Sequence, residues 1–297
     1  MHDHHTAGPV VVGAVEAQDQ EQVVLRAAEE ATRTGTGLRI MHAVEWPLPA
    51  GATEAGADGG TFVDRAERVI ARFAEAVHRK FPDVAVEPDI VSGSPAPALI
   101  ERSVAAPLIV VGHRGKGGFP RLPLGSVSLQ VATHSHCPVL VVRPRGRAEP
   151  RVSRVVVGVD VDDMQPHVME FALRAAAARD ASLEVVHGST RPDILGTGPT
   201  GPLLVGHQKR PSAAQDLLEE ELAPYRSRHP DLDIRARVER GRPAGLLVDS
   251  SRYAALLIVG THGRTGLRRL MLGSVSGEVL HTAACPVVVV PPREAEK

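Results

Sequence analysis

The sequence predicts an α/β fold built from two doubly wound parallel-sheet domains in tandem. Three features predict it. The chain has 297 residues, with 43% hydrophobic and 23% charged side chains, a globular composition long enough for two cores of ordinary size. The chain repeats itself. Within each half, short Val-rich runs alternate with stretches of helical periodicity, the signature of strands and crossover helices.

The repeat comes first, because it sets the unit to be read. VVGHRGKGGFPRLPLGSVS begins at Val110 and IVGTHGRTGLRRLMLGSVS at Ile258. Gly112 and Gly260, Gly125 and Gly273, and Cys137 and Cys285 all stand 148 residues apart. PVVVGAVE around Gly13 matches RVVVGVDV around Gly158 at an offset of 145, so a few residues are inserted between. The expected units are residues 1–146 and 152–297, joined through a polar, Pro- and Arg-rich stretch from Arg143 to Arg151 that reads as an exposed linker.

In the first unit, Pro9 to Val15 reads as a strand buried on both faces. Asp19 to Thr34 carries Val23, Val24, Ala27, Ala28 and Ala31 at helical spacing and stops at Gly35. Leu38 to Val44 is a second strand. A Gly/Ala-rich loop from Ala50 to Gly60 precedes a helix over Phe62 to Phe81, and Val84 to Val91 is a third strand. Ser94-Pro95 has the form of an N-cap followed by an N1 proline. Leu108 to Val111 is a strand that runs into Gly112, Ser126 to His134 is a short helix, and Pro138 to Val142 is the last strand. The second half repeats this order. Its strands are Val155 to Asp160, Leu183 to His187, Ile234 to Glu239, Leu256 to Val259 and Pro286 to Val290. Ligands of such sheets bind beyond the carboxyl ends of the strands where strand order reverses, which is where Gly112 and Gly260 fall.

Each half carries Gly-x-x-Gly, nine residues, then Gly-Ser: Gly112, Gly115, Gly125 and Ser126, then Gly260, Gly263, Gly273 and Ser274. A glycine ending a strand admits close approach of a ligand to the backbone. A helix start offers free N–H groups and the positive end of a dipole, which together bind phosphate. The serine hydroxyl caps the helix or bonds a phosphate oxygen, and Ser128 and Ser276 add a second hydroxyl one turn in. A single copy reads equally well as turn punctuation. Two copies at one spacing on the same strand–loop–helix frame favour the phosphate seat.

This motif, followed by Val-Ser and a Cys-Pro-Val strand, resembles the ATP-binding type of the universal stress protein family in its tandem form, over nearly the whole chain. The resemblance implies a Rossmann-like fold of the adenine nucleotide alpha hydrolase type, with pseudo-two-fold symmetry and the two last strands paired antiparallel. It implies that Gly260, Thr261, Gly263, Gly273, Ser274, Val275 and Ser276 hold the ribose and phosphates of ATP, with Mg2+ as its companion. Gly112, His113, Gly115, Gly125, Ser126, Val127 and Ser128 would do so in the first half. It places an aspartate near the adenine at the end of the first strand, which Asp160 matches, and backbone lining of the adenine pocket at Ala43 and Gly188. The first half departs, with Val15 at the aspartate position and Glu16 beside it. Loss of a charge-assisted contact costs a few kcal/mol if it is buried, so the second site is expected to be the stronger.

The same resemblance implies a stress-response or signalling role sensed by regulatory protein partners, with homodimerisation possible. A non-nucleotide interaction protein of the same fold is the alternative. An enzyme is not expected, beyond very slow ATP hydrolysis. A Walker lysine motif is absent, and no paired acid and base stands out near the loop cations Arg114, Lys116, Arg264, Arg268 and Arg269. Lys plus Arg total 34 against 35 Asp plus Glu, and aromatics are few, so neither nucleic acid nor an anionic membrane is an expected partner. Two cysteines and no signal-like N-terminus suggest a reduced, cytoplasmic setting. Cys137 and Cys285 read as small buried hydrophobes, about 15 Å or more apart at ~3.3 Å per residue if the last strands pair antiparallel. His2, His4 and His5 read as a mobile terminus, and no metal site is expected. His42 and His187 end matching strands and read as packed or backbone-bonded. The stretch from Gly188 to Pro211 is compatible with a lid or with disordered chain.

Overall fold

A computed structural model describes residues 8–17, 19–44, 62–114, 124–143, 153–189, 213–261 and 272–292. The first half runs β1 (Val10–Gly13), α1 (Gln20–Thr34), β2 (Leu38–Val44), α2 (Phe62–Lys80), β3 (Val86–Ser92), α3 (Pro95–Arg102), β4 (Ile109–Gly112), α4 (Ser126–His134) and β5 (Val139–Val142). The second runs β6 (Arg154–Gly158), α5 (Pro166–Ala177), β7 (Ser182–Ser189), α6 (Ala213–Arg228), β8 (Ile234–Arg240), α7 (Pro243–Ser251), β9 (Leu256–Gly260), α8 (Ser274–Thr282) and β10 (Val287–Val290). A three-residue 3-10 turn, Val161–Asp163, follows β6. The expected strand end at Asp160 is therefore corrected. β6 closes at Gly158, and Asp160 caps the turn beyond it.

The ten strands of the described residues form one sheet in the order β3-β2-β1-β4-β5-β10-β9-β6-β7-β8. Pairing is parallel within each half. The halves meet where β5 and β10 pair antiparallel, with Val139 opposite Val289, Leu140 opposite Val288 and Val141 opposite Val287. The expected antiparallel seam of last strands is thus present. It has a geometric consequence: the carboxyl ends of the first half's strands lie on the opposite edge of the sheet from those of the second.

Strand alternation sends side chains to two cores. Val10, Val12, Val155 and Val157 join the layer of α1, α2, α5 and α6. Val11, Val156, Val139 and Val141 join the layer of α3, α4, α7 and α8. Burial on both faces explains why these strands read as unbroken valine runs. One glycine in each first strand admits the second helix layer closely. A Cβ on Gly13 would lie 3.1 Å from Leu99 Cδ1, and one on Gly158 would lie 2.6 Å from Leu247 Cδ1.

On the first helix layer, Arg179, just beyond α5, pairs with Glu30 of α1, which also pairs with Arg26 at 3.3 Å and Arg33 at 3.1 Å. This buried ion cluster joins the two halves away from the seam. Among the described residues no helix is long and apolar enough to cross a membrane.

Candidate functional site

Strand order reverses between β1 and β4 and between β6 and β9. Each reversal opens a crevice at the carboxyl ends of those strands. Val15 and Gly112 flank the first, Asp160 and Gly260 the second.

The two crevices are closed by matching hydrogen bonds. In the first half, the His113 N–H donates to Val142 O at 2.8 Å, and the Gly125 N–H donates to His113 O at 2.7 Å. In the second, the Thr261 N–H donates to Val290 O at 3.1 Å, and the Gly273 N–H donates to Thr261 O at 2.8 Å. The residue after the strand glycine is therefore pinned to the neighbouring strand and, in turn, pins the start of the next helix. His113 and Thr261 are structural equivalents, although their side chains share no chemistry.

α4 and α8 begin at these pins. Their N-caps are Gly125 and Gly273, neither with a side-chain cap bond. Of the two roles expected for the Ser126 and Ser274 hydroxyls, capping the helix or bonding a phosphate, the first is corrected: both are the first helical residue, and both are exposed. The first main-chain bonds of the helices run from Leu129 to Gly125 O at 3.0 Å and from Gly277 to Gly273 O at 2.8 Å. Helix geometry gives the N–H groups of Ser126, Val127 and Ser128, and of Ser274, Val275 and Ser276, no acceptor within the helix. Val127 and Val275 pack against the second core and anchor the first turn.

Ser128 and Ser276 are buried, and their hydroxyls donate to Gly112 O at 2.6 Å and Gly260 O at 2.5 Å. Each serine ties its helix to the strand end 16 residues earlier. That hydroxyl hydrogen is spent on the frame, so the donors that remain at the helix start are the first-turn N–H groups and the exposed hydroxyls of Ser126 and Ser274. At Gly112 a Cβ would lie 3.2 Å from Arg114 O and 3.3 Å from Val23 Cγ2. Close packing therefore accounts for that glycine as fully as ligand approach does.

The residues expected to lie near an adenine differ between the halves. The half-buried Asp160 caps the 3-10 turn, its carboxylate accepting from the Asp162 N–H at 3.3 Å. Val15 has no such group, and its neighbour Glu16 pairs with Arg65 of α2 at 2.5 Å. Ala43 is half-buried at the carboxyl end of β2, opposite Val91. Gly188 is the penultimate residue of β7, where a Cβ would fall 2.7 Å from Pro243 Cα. Its lack of a side chain is required by α7. Gly115 and Gly263, with Lys116, His262, Arg264, Arg268 and Arg269, lie outside the described residues, as do His2, His4, His5 and most of the stretch from Gly188 to Pro211.

One positioning residue was not apparent as such in the sequence. Gln20, buried at the start of α1, donates its Nε2 hydrogen to Gly13 O at 2.9 Å. Gln165 stands 145 residues later, and this recurrence was the available signal. His42 donates from Nδ1 to Ala14 O at 2.8 Å, holding the chain beyond β1. His187 Nδ1 stands 3.2 Å from Val159 O and 3.3 Å from the Val161 N–H, and its tautomer selects which it bonds. The expected backbone bonds of these two histidines are present. Burial, with Arg143 and then Arg114 nearby, lowers the pKa of His113 below the usual imidazole value, so its ring favours the neutral form. Among the described residues no group of three or more His, Cys, Asp or Glu side chains is placed to hold a metal ion.

Cys137 and Cys285 are free and buried. Burial, the largest influence on Cys137, pushes its thiol up to about 12. Extending the β5–β10 register puts Arg143 opposite Cys285, six residues from Cys137 along the seam. That is about 20 Å at ~3.3 Å per residue, too far for a disulfide.

The architecture defines a class: paired doubly wound α/β units, each with a helix N-terminus beside its switch point. The family is set by comparison. The model of the universal stress protein family matches residues 8–143 and again 151–291, and the chain belongs to that family. A universal stress protein of Mycolicibacterium smegmatis is 32% identical over 295 residues, covering 96% of this chain and 97% of its own. One from Mycobacterium tuberculosis is 31% identical over 291 residues, covering 94% and 95%. The crystal structure of a universal stress protein from Archaeoglobus fulgidus superposes with a TM-score of 0.70 at 18% identity, covering 97% of this chain and 99% of that one, and shares the fold.

Proposed function

We propose that each half, residues 1–146 and 152–297, is an adenine-nucleotide-binding unit. In this reading the protein carries ATP as a regulatory ligand in stress response or signalling. The observation that carries it is the duplicated seat: in both halves the same two pins and the same buried serine hold a nine-residue helix with its N-terminus at the switch point. Phosphates bind the unspent N–H groups of Ser126 to Ser128 and Ser274 to Ser276, where the helix dipole favours negative charge. Mg2+ enters on the phosphates, as is usual for that ion. Asp160 accepts from the nucleoside in the second half. It is only half-buried, so its contact is worth the lower end of a charge-assisted bond, about 1.5 kcal/mol.

The protein acts by binding, with hydrolysis very slow at most. Phosphoryl transfer needs a positioned base and a clamp on the leaving phosphate, and the described residues at the crevices serve to hold backbone in place. Nucleotide occupancy is read by regulatory proteins or by a second copy of the chain.

The test is mass spectrometry of small molecules released when purified protein is denatured, on the wild type and on Gly125→Ala and Gly273→Ala. Adenine nucleotide should be released, and Gly273→Ala should lose more of it than Gly125→Ala. Equal losses would refute the ranking of the sites. Absence of nucleotide, with no binding on titration, would leave the non-nucleotide interaction protein as the better reading.

A further inference from the structure

The described sheet ends in two edge strands, β3 and β8, and an edge strand offers backbone groups on which another strand can build. In β8, Asp233 O accepts from the Leu183 N–H at 2.9 Å, so the backbone groups of Ile234, Ala236 and Val238 turn away from β7. Side chains of α6 take two of these outward groups. Arg226 donates from Nε to Ile234 O at 3.1 Å, and the Val238 N–H donates to Gln215 Oε1 at 3.2 Å. One carboxylate holds both side chains in place. Glu219 accepts from Gln215 Nε2 at 3.0 Å and from Arg226 Nη1 at 2.6 Å. The bridge therefore runs along the outer rim of β8 from Ile234 O to the Val238 N–H, with Ala236 between its ends.

The first half closes its edge differently. Ala85 O accepts from the Leu38 N–H at 2.8 Å, which turns the backbone of Pro88 outward in β3, at a position that lacks an N–H. Pro88 and Ala236 are equivalent: each is the third residue of its strand, and they stand 148 residues apart. At the same offset, Gln215, Glu219 and Arg226 match Glu67, Ala71 and His78, a set without the bridging carboxylate. The edge with the proline lacks the bridge, and the edge with the bridge lacks the proline.

We infer that Gln215, Glu219 and Arg226 form a guard that closes β8 to strand addition, and that the occupant it excludes is β8 of a second copy of this chain. Antiparallel pairing of two β8 strands with Ala236 opposite Val238 sets Arg235 of each copy opposite Glu239 of the other, two favourable cross-strand pairs. It also sets the two Arg237 side chains opposite each other, but each already pairs with Glu239 at 2.7 Å and Glu184 at 3.5 Å. Such pairing needs Ile234 O and the Val238 N–H, the two groups that the guard occupies. The inference is independent of whether the crevices bind nucleotide.

The experiment measures the association state of the full chain by sedimentation velocity over a concentration series, with circular dichroism as the check on folding. The variants are Gln215→Ala with Arg226→Ala, Ala236→Pro alone, and all three changes together. The double variant should form a species of twice the wild-type mass at concentrations where the wild type does not. Ala236→Pro removes an outward N–H and no bond to β7. Alone it should leave the wild-type state unchanged, and in the triple variant it should abolish the added association. In dilute solution the Val238 amide should exchange with deuterium about tenfold faster in Gln215→Ala than in the wild type, as loss of one hydrogen bond implies. No added association in a folded double variant, or added association that survives Ala236→Pro, would overturn the inference. If the double variant does not fold, the exchange measurement decides: an unchanged rate at Val238 in Gln215→Ala removes the guard.

Discussion

Replacing Glu30 by glutamine should destabilise the protein far more than replacing its partner Arg179 by leucine. Glu30 Oε1 serves Arg26, Arg33 and Arg179, while Glu29 takes Arg26 at 2.6 Å and Arg33 at 2.5 Å. The cluster thus holds three cations against two anions. The Glu30 and Arg179 side chains are only 8% and 6% exposed, so solvent screens little of the interaction. Glutamine at position 30 keeps the volume but leaves three guanidiniums facing one carboxylate. Breaking a buried pair in this way costs about 3 kcal/mol, or roughly 6–12 °C in Tm at ~2–4 °C per kcal/mol. Leucine at position 179 instead leaves two cations and two anions. The Arg179 pKa is lowered, because burial outweighs its attraction to Glu30. Its charge is therefore a net burden where it stands, and its removal should cost about 1 kcal/mol or less. Urea unfolding of the two variants and the double variant, followed by circular dichroism, measures the difference. Equal destabilisation by the two single changes would refute the charge count.

Gly188→Ala should cost about 2 kcal/mol, the usual penalty for overpacking, because its Cβ meets Pro243 backbone at 2.7 Å; thermal unfolding checks this, and an unchanged Tm would show that α7 yields freely. Cys137, held near 12 by burial, should resist iodoacetamide at pH 8 in native protein and react after unfolding, as peptide mass mapping can establish. Because its folded pKa lies above the unfolded value, the stability it contributes is present below about pH 9 and is lost as pH rises toward 12. Cys137→Ala should therefore flatten the alkaline fall in stability across that window. Leu140→Asp should put a carboxylate in the middle of the β5–β10 seam, opposite Val288, and cost several kcal/mol; a variant as stable as the parent would show that the seam contributes little.

Much of the fold was legible because it depends on local periodicity and on repetition. Valine runs buried on both faces marked the strands, and apolar spacing of 3.6 marked α1 and α2. The offset of 148 placed both seats on one frame. Element ends were less legible. β6 stops at Gly158, and Asp160 beyond it accepts from the Asp162 N–H to cap a short turn, a local bond that valine periodicity does not report.

By itself the sequence determined the duplicated α/β architecture, the glycine and helix-start positions of both seats, and the exchange of Asp160 for Val15. The tertiary structure alone decided how those residues are used. The hydroxyls of Ser128 and Ser276 are committed to carbonyls, Gly188 makes room for Pro243, and Arg143 reaches Leu280 as Arg179 reaches Glu30, across 137 and 149 residues of chain. The physical reason is range. Periodicity reports which face a residue turns to the core, within a few neighbours along the chain. A hydrogen bond or ion pair depends on which atoms lie within about 3 Å, and only the folded sheet, with its halves running in opposite directions, brings those atoms together.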